Sequence, residues 1–92
     1  MTDTLLRATA TIANRRGLHA RAAAKFVKLV SQFEASVLVT HRGMEVSGLS
    51  IMGLMMLAAG LGTSIDLAAS GKDAQAALEA IVALVNDKFG ED

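Results

Sequence analysis

Residues 6–30 read LRATATIANRRGLHARAAAKFVKLV, and the spacing of apolar side chains changes within this stretch. In its first part Leu6, Ala8 and Ala10 alternate with polar residues, which is typical of a half-buried strand. From residue 20 to about residue 32 the apolar side chains recur at helical spacing, and basic residues form the opposite stripe. The stretch therefore predicts a strand, a loop and an amphipathic helix, in that order.

A hairpin is predicted where the alternation of apolar residues resumes after this helix. The two residues 42–43 include a glycine, which can adopt the positive φ that tight hairpin turns require. A turn there would pair His41 with Met44 and Val39 with Val46. This register places the apolar residues of both strands on one face, so it is self-consistent.

The rest of the chain predicts a helix, a strand and a last helix. Residues 50–58 are unusually apolar for a short helix, and residues 65–69 alternate as a strand. Asp73 is a suitable N-cap for the last helix, whose predicted inner face is Ala77, Leu78, Ile81, Val85 and Phe89. This order of elements, with no repeat or linker, favours one α+β domain over residues 1–92. We expect one antiparallel or mixed sheet with helices on a single face.

The composition limits the kinds of site that the chain could contain. It has 92 residues and no Cys, which excludes disulfides and cysteine metal sites. No charged-then-apolar leader precedes the first strand, so we expect no signal peptide. The longest apolar run, residues 51–61, is far shorter than the roughly 20 residues of a membrane span. We therefore expect a cytoplasmic protein with no membrane insertion.

The net charge is zero, but the charge is unevenly distributed. A run of basic residues has no acidic residue among its members: Arg15, Arg16, Arg21, Lys25 and Lys28. This cluster predicts a basic face around the first helix. Such a face is either solvated or a surface for an anionic group or an acidic partner, and composition alone leaves both interpretations open.

His19 stands at the predicted start of the helix, where Ser, Thr, Asp or Asn would be the usual N-cap. The first N–H groups of a helix have no internal partners, and their dipole favours an anion and disfavours a cation. A neutral imidazole there is a nucleophile, and an attached phosphoryl group would lie against the free N–H groups. Arg16 and Arg21 could add charge-assisted bonds. A surface histidine at a helix start is also common, so spacing alone leaves both interpretations open.

No other pattern predicts a catalytic or metal site. Neither His19 nor His41 has a carboxylate or a second histidine at ligand spacing, so we expect no metal and no cofactor. His41 lies in a strand pattern and is assigned no function. The stretch GLGTS lacks the lysine of a P-loop, and GKD lacks its hydroxyl residue. Basic residues without exposed aromatic side chains argue against nucleic acid as a partner, although a basic nucleic-acid-binding domain is a third interpretation to test.

Ser50 precedes the short apolar helix and is expected to be its N-cap. The same position would make its hydroxyl a phosphate acceptor at a helix start. The apolar residues that follow, including Ile51, Met52 and Met55, are too many to bury on one face of a short helix. We expect most of these apolar residues in the core and a minority in an adaptable docking patch.

GLHARAAAKFV around His19 and SGLSIMGLMMLAA around Ser50 resemble HPr, the family of histidine-containing phosphocarriers of the bacterial phosphotransferase system. The resemblance covers nearly the whole chain, and two motifs at the right separation are more specific than either alone. It implies an open-faced β-sandwich, in which a four-stranded antiparallel sheet is covered on one face by three helices. It also implies a phosphoryl-group carrier with a phosphohistidine intermediate rather than a turnover enzyme.

The resemblance assigns roles to individual residues. It implies that His19 accepts a phosphoryl group on Nδ1 from phosphorylated enzyme I, which uses phosphoenolpyruvate, and passes it to a histidine of enzyme IIA. Arg21 matches the active-site arginine that stabilises the phosphate. Ser50 matches a serine that a dedicated kinase phosphorylates in some bacteria, so a serine kinase/phosphorylase is a further candidate partner. The phosphate-site loop is expected to comprise Asn14, Gly17, Ala20 and Ala22.

Ala22 departs from the family pattern, which usually reads GLHARPA. Alanine keeps the helix and restores a backbone N–H that proline lacks, so we expect activity to be retained.

Partner docking is expected to involve Arg16, Lys28, Ile51, Met52 and Met55, in a monomer. The alternative function is a regulatory interaction protein that partners read through the phosphorylation states of His19 and Ser50, with little transport flux. Sugar transport and nitrogen-related regulation both stay open at this point.

Overall fold

The chain folds into a four-stranded sheet whose inner face is covered by helices. The computed structural model describes residues 5–91, so the ends of the predicted domain, residues 1–4 and 92, lie outside the described residues. The strands are β1 (Leu6–Thr11), β2 (Ser36–His41), β3 (Met44–Ser47) and β4 (Ser64–Ser70). The helices are α1 (Ala20–Val30), α2 (Ile51–Met56) and α3 (Ala74–Asn86). The predicted fold class is confirmed.

The strands lie in the order β1-β4-β2-β3, and each neighbouring pair is antiparallel. The β2–β3 hairpin has the predicted register, with His41 opposite Met44 and Val39 opposite Val46. Arg42 and Gly43 have φ values of 50° and 81°. Positive φ at both central residues is the geometry of a type I′ turn, whose twist suits a two-residue hairpin.

The hydrophobic core lies between the inner face of the sheet and the helices. The predicted face of α1 is buried at Ala23, Phe26 and Val30, and α1 packs against both α2 and α3. The predicted face of α3 is also buried, together with the inner residues of β2 and β4. Burial of these apolar surfaces is the main term that holds α1, and hence its amino end, in a fixed place on the sheet.

Three predicted details of the helices were wrong. The second helix is shorter than residues 50–58, because the backbone turns left-handed at Ala58, where φ is 52°. Asp73 is at the N-cap position of α3 but does not cap the helix; its carboxylate instead accepts a hydrogen bond from the Glu34 N–H at 2.8 Å. Phe89 is buried as predicted, but it lies beyond the end of α3, in left-handed backbone.

Within residues 5–91, no helix has both the length and the apolar character needed to span a membrane.

Candidate functional site

His19 is the N-cap residue of α1, and its side chain forms no capping hydrogen bond. Its backbone is extended, and its carbonyl accepts the first helical hydrogen bond from the Ala23 N–H at 2.8 Å. The N–H groups of Ala20, Arg21 and Ala22 precede that bond, so they have no partner within the helix. The N–H of Ala22 is one that a proline at this position would lack. The helix start therefore offers three backbone donors beside the imidazole.

The loop before His19 is fixed by contact with the segment that follows α2. Gly17 has φ of +64°, and a Cβ on it would lie 2.3 Å from the Ala59 carbonyl oxygen. The N–H of Leu18 donates to the same carbonyl at 3.0 Å. Only glycine combines this left-handed backbone with so close an approach. This contact sets the position from which the chain enters α1.

Asn14 is fully buried and joins this loop to the carboxyl end of the chain. Its Nδ2 donates to the Gly17 carbonyl at 2.9 Å and to Glu91 Oε1 at 3.0 Å. Since both partners can only accept, the amide nitrogen must face them. The Oδ1 atom of Asn14 is buried and has no hydrogen-bond partner among the described residues.

Glu91 is the residue of this site that sequence analysis missed. Its Oε2 lies 2.5 Å from His19 Nε2, and the two side chains are only 18% and 15% exposed. An ionised carboxylate can only accept a hydrogen bond, so Nε2 carries the proton. In the neutral ring, Nδ1 then keeps its lone pair. The contact therefore selects the tautomer in which Nδ1 is the nucleophilic atom.

Glu91 reaches His19 through what we call the C-terminal turn, residues 88–91. Lys88, Phe89 and Gly90 have φ values of 58°, 54° and 73°, so the backbone is left-handed at three successive residues. The buried ring of Phe89 anchors this turn, and Lys25 Nζ donates to the Phe89 carbonyl at 2.6 Å. No sequence pattern predicts this geometry, because two of the three residues are not glycine.

A pocket of about 430 Å³ borders Glu91, the hydrogen-bond partner of the imidazole, and most of the side chains that line it are cationic. It is lined by Arg15, Arg16, Arg21, Lys25, Gly90 and Glu91. Partial burial alone would raise the pKa of Glu91, but hydrogen bonds from Asn14 and His19, the positive charge of Lys25 and that of His19 when its ring is protonated lower it below its ordinary value. The carboxylate therefore stays ionised, and the remaining cations are available to an incoming anion.

The structure brings most of the predicted site residues together around the start of α1. Arg16 and Arg21 line the cationic pocket, while Asn14 and Gly17 shape the loop beside it. Lys28 is exposed on α1 but does not line the pocket.

Ser50 is the N-cap of α2, as predicted, and its Oγ accepts a hydrogen bond from the Gly53 N–H at 2.9 Å. The expectation that most apolar residues of α2 would be core was wrong, because within the helix only Leu54 is buried. Ile51, Met52 and Met55 are 41%, 70% and 39% exposed. We call the exposed residues of this region the apolar patch: Leu49, Ile51, Met52, Met55, Met56 and Leu61. Six exposed large apolar side chains in one region are typical of an interaction surface.

His41 does not belong to the site. It is 6% exposed, and its Nδ1 donates to the Ser64 carbonyl at 3.0 Å, which accounts for its burial. An apolar groove of about 400 Å³ between β1 and α3 shares no lining residue with the cationic pocket. Among residues 5–91, no three His, Cys, Asp or Glu side chains are grouped closely enough to hold a metal ion.

Comparison with known proteins identifies the family. Residues 6–87 match the family model described as the PTS HPr component phosphorylation site. The chain is 45% identical over 87 residues to the phosphocarrier protein HPr of Cupriavidus necator, which covers 95% of this chain and 98% of that protein. It is 47% identical over 88 residues to the phosphocarrier protein NPr of Shewanella violacea, with 96% and 97% covered.

A crystal structure of HPr from Thermoanaerobacter tengcongensis has the same fold. It matches with a TM-score of 0.89 at 40% identity, over 95% of this chain and 98% of that one. This structural match and the family model, which describes a phosphorylation site, are both consistent with a histidine at the uncapped start of α1. The chain therefore belongs to the HPr family of phosphocarrier proteins of the phosphotransferase system.

Proposed function

We propose that His19 accepts a phosphoryl group on Nδ1 from phosphorylated enzyme I and passes it to a histidine of an enzyme IIA. The observation that carries this proposal is the bond between His19 Nε2 and Glu91 Oε2. It holds the ring proton on Nε2 and leaves the Nδ1 lone pair available at the uncapped start of α1. The cationic pocket, which Glu91 also lines, supplies charge of the sign that a phosphoryl group requires.

The chemistry consists of two matched transfers. In the first, the Nδ1 lone pair attacks phosphorus, the Nδ1–P bond forms and the donor N–P bond breaks, with its electron pair returning to the donor nitrogen. In the second, the acceptor histidine attacks and Nδ1 leaves with the electron pair. The ring keeps its Nε2 proton throughout. It is therefore a cation while Nδ1 carries the phosphoryl group, and it becomes a neutral imidazole again when the Nδ1–P bond breaks. The Glu91 carboxylate stabilises that cation.

A carrier must also bind the phosphoryl oxygens without holding them too tightly. Arg21 can contact them through its guanidinium, and the free N–H groups at the start of α1 are oriented toward an anion. These donors all lie in the first turn of α1, next to His19. This arrangement suits reversible transfer between two proteins.

The partners would dock on the surface that surrounds His19. The cationic residues Arg16 and Lys28 are exposed, and so is the apolar patch, most of which belongs to the helix α2 that packs against α1. Acidic and apolar surfaces on enzyme I and enzyme IIA would complement them.

We further propose that the protein acts as a monomer in the cytoplasm, because the transfer needs only one His19 at a time. Size-exclusion chromatography with light scattering tests this, and we expect the mass of one chain, 9.6 kDa.

Transfer of labelled phosphate tests the function. The protein is incubated with enzyme I, enzyme IIA and phosphoenolpyruvate carrying labelled phosphate, and the label is followed in time. We expect acid-labile label on this chain first and on enzyme IIA afterwards. His19→Gln should abolish both, whereas His41→Gln, the matched change at the other histidine, should leave both intact. If folded His19→Gln still carried acid-labile phosphate, His19 would not be the phosphoryl acceptor.

A second candidate function, regulation through Ser50, is supported by a specific observation. Ser50 Oγ is bonded to the Gly53 N–H at the start of α2 and lies beside the exposed side chains of Ile51 and Met52. A phosphate on Ser50 would place a dianion at the edge of the apolar patch, where it would oppose docking without disturbing the core. Incubation with a serine kinase that phosphorylates HPr, followed by mass spectrometry of the peptide containing Ser50, tests whether the hydroxyl is accessible.

A further inference from the structure

Arg21 and Lys25 lie one turn apart on α1 and line the same cationic pocket, but the structure uses them differently. Lys25 Nζ donates to the Phe89 carbonyl at 2.6 Å, across a separation of 64 residues in the sequence. A Cβ on Gly90 would lie 3.4 Å from the same nitrogen, so the ammonium is packed against the C-terminal turn. Lys25 therefore joins α1 to the segment that carries Glu91.

The C-terminal turn needs such a restraint. Lys88 and Phe89 have left-handed backbones although both carry a Cβ, and residues of this kind rarely adopt that conformation. Such geometry persists only where the surroundings hold it. The buried ring of Phe89 fixes one side of the turn, and Lys25 holds the carbonyl on the other. Glu91 follows two residues later, so a rotation at Phe89 would move its carboxylate away from His19.

We propose that Lys25 is a positioning residue for His19: by holding the Phe89 carbonyl it keeps the C-terminal turn in the geometry that places Glu91 on Nε2. This inference rests on the proposed function, since it concerns the atom of His19 that receives the phosphoryl group. Lys25 acts through Phe89 and Glu91 and not through contact with phosphate. Arg21, by contrast, is the residue to which we assign direct contact with the phosphate.

Loss of the restraint has a defined chemical consequence. Without Lys25 the ring of Phe89 stays buried, but the turn is free to rotate and Glu91 leaves Nε2 part of the time. The neutral imidazole then exchanges between its two tautomers, and Nδ1 carries the proton in one of them. A protonated Nδ1 is not a nucleophile, so transfer slows even though the three arginines of the cationic pocket remain.

The experiment compares Lys25→Met with Lys25→Arg, and uses Lys72→Met as the control for loss of an exposed lysine elsewhere. The tautomer of His19 is read from ring nitrogen chemical shifts of the unphosphorylated protein. We expect Lys25→Met to move the ring from the Nε2–H tautomer toward a mixture and to slow single-turnover transfer by about tenfold, which is the low end of the losses seen when the partner that orients a metal-bound histidine is removed. Lys25→Arg should restore most of both, and Lys72→Met should change neither.

A double-mutant cycle with Glu91→Gln separates positioning from direct charge. If Lys25 acts through Glu91, Lys25→Met should cause no further loss of rate once Glu91 is glutamine. An equal loss in both backgrounds would mean that Lys25 acts on the phosphate, and would overturn the proposal. An unchanged tautomer in folded Lys25→Met would overturn it as well. The nitrogen shifts need no phosphorylation, so failure of the proposed function would be recognised separately, by absence of label on the parent protein.

Discussion

Glu91 and His19 are 72 residues apart in the sequence, yet Glu91 Oε2 lies 2.5 Å from His19 Nε2. The carboxylate is held in turn by Asn14 Nδ2 on its other oxygen. Each oxygen of Glu91 therefore has its own donor, and the imidazole can rotate only by breaking this arrangement. The relationship makes the C-terminal turn a part of the site.

The lowered pKa of Glu91 predicts how stability depends on pH. Because the folded-state pKa lies below that of the unfolded chain, the contact contributes stability above the unfolded value of about 4.5 and loses it as the pH falls through the folded pKa. We expect Glu91→Gln to be less stable than the parent near neutral pH, with the difference shrinking below pH 4.5. Urea unfolding at a series of pH values measures this.

Glu79→Gln provides the control for that series, because Glu79 is exposed on α3 and accepts a hydrogen bond from Gln75, away from the cationic pocket. Its unfolding curves should follow those of the parent. The groups that face Glu91 are His19, Asn14, Lys25 and the arginines of the cationic pocket. If the free energies of unfolding of Glu91→Gln and the parent differ by the same amount at every pH, these groups do not lower the pKa of Glu91 as we describe.

Arg21 should contribute to transfer through the shape of its guanidinium as well as through its charge. Arg21→Ala removes a charge-assisted bond worth roughly 1.5–3 kcal/mol, so we expect transfer from phosphorylated enzyme I to slow by about 10- to 100-fold. Arg21→Lys keeps the charge but not the two-pronged contact, and its rate should lie between those of Arg21→Ala and the parent. Single-turnover rates by rapid quench measure the order. Arg7→Ala, on β1, should match the parent; equal rates for all four proteins would make Arg21 only a surface charge.

Gly17 and Gly43 form a matched pair for testing the loop that precedes His19. Both have positive φ, but a Cβ on Gly17 would meet the Ala59 carbonyl, whereas a Cβ on Gly43 has nothing within 4 Å. Alanine at either position should cost about 1–2 kcal/mol for the left-handed backbone. At Gly17 the clash should add about 1–3 kcal/mol and slow transfer. Equal free energies of unfolding for the two variants would mean that the Ala59 contact is loose.

Ser50 should separate stability from docking. Ser50→Asp places a negative charge at the start of α2, where the helix dipole tolerates or favours it by about 0.3–1 kcal/mol, so the melting temperature should stay or rise. The same charge borders the apolar patch and should weaken binding to enzyme I. Ser50→Ala should do the reverse: lose about 1 kcal/mol of capping and bind normally. Calorimetry of unfolding and of binding gives both quantities. Normal binding by Ser50→Asp would leave Ser50 with a capping role alone.

Local periodicity explains why most of the fold was predictable. The strands and α1 follow from alternation and helical spacing, and the glycine at residue 43 predicts the hairpin register. The prediction that most apolar residues of α2 lie in the core was wrong because composition shows how apolar a helix is. It does not show whether another helix or strand packs over that helix. Met52 and Met56 are 70% and 65% exposed, since α2 packs against α1 and β3 and these two side chains are left uncovered.

The candidate site was predictable only where it is local. His19, Arg21 and the loop at Asn14 and Gly17 lie within one short stretch, and their residue types indicate an anion site. Glu91 and Lys25 depend on where the C-terminal turn returns to α1. That return rests on left-handed backbone at residues 88 and 89, which carry no glycine to signal it. Contacts of this kind come from tertiary packing, and a single sequence records no trace of them.

The strand order β1-β4-β2-β3 constrains the way in which this protein acquires its structure during synthesis. The first strand has a single neighbour in the sheet, β4, and Thr9 contacts Asp66 across 57 residues. When a chain emerges from the ribosome, the β2–β3 hairpin can form early, but the amino-terminal strand has no place to add until residue 70 is free. Pairings this distant in sequence are slow to close. Until β4 has emerged, the nascent chain therefore exposes an unpaired, partly apolar strand, and that interval is when it is open to chaperones and to aggregation.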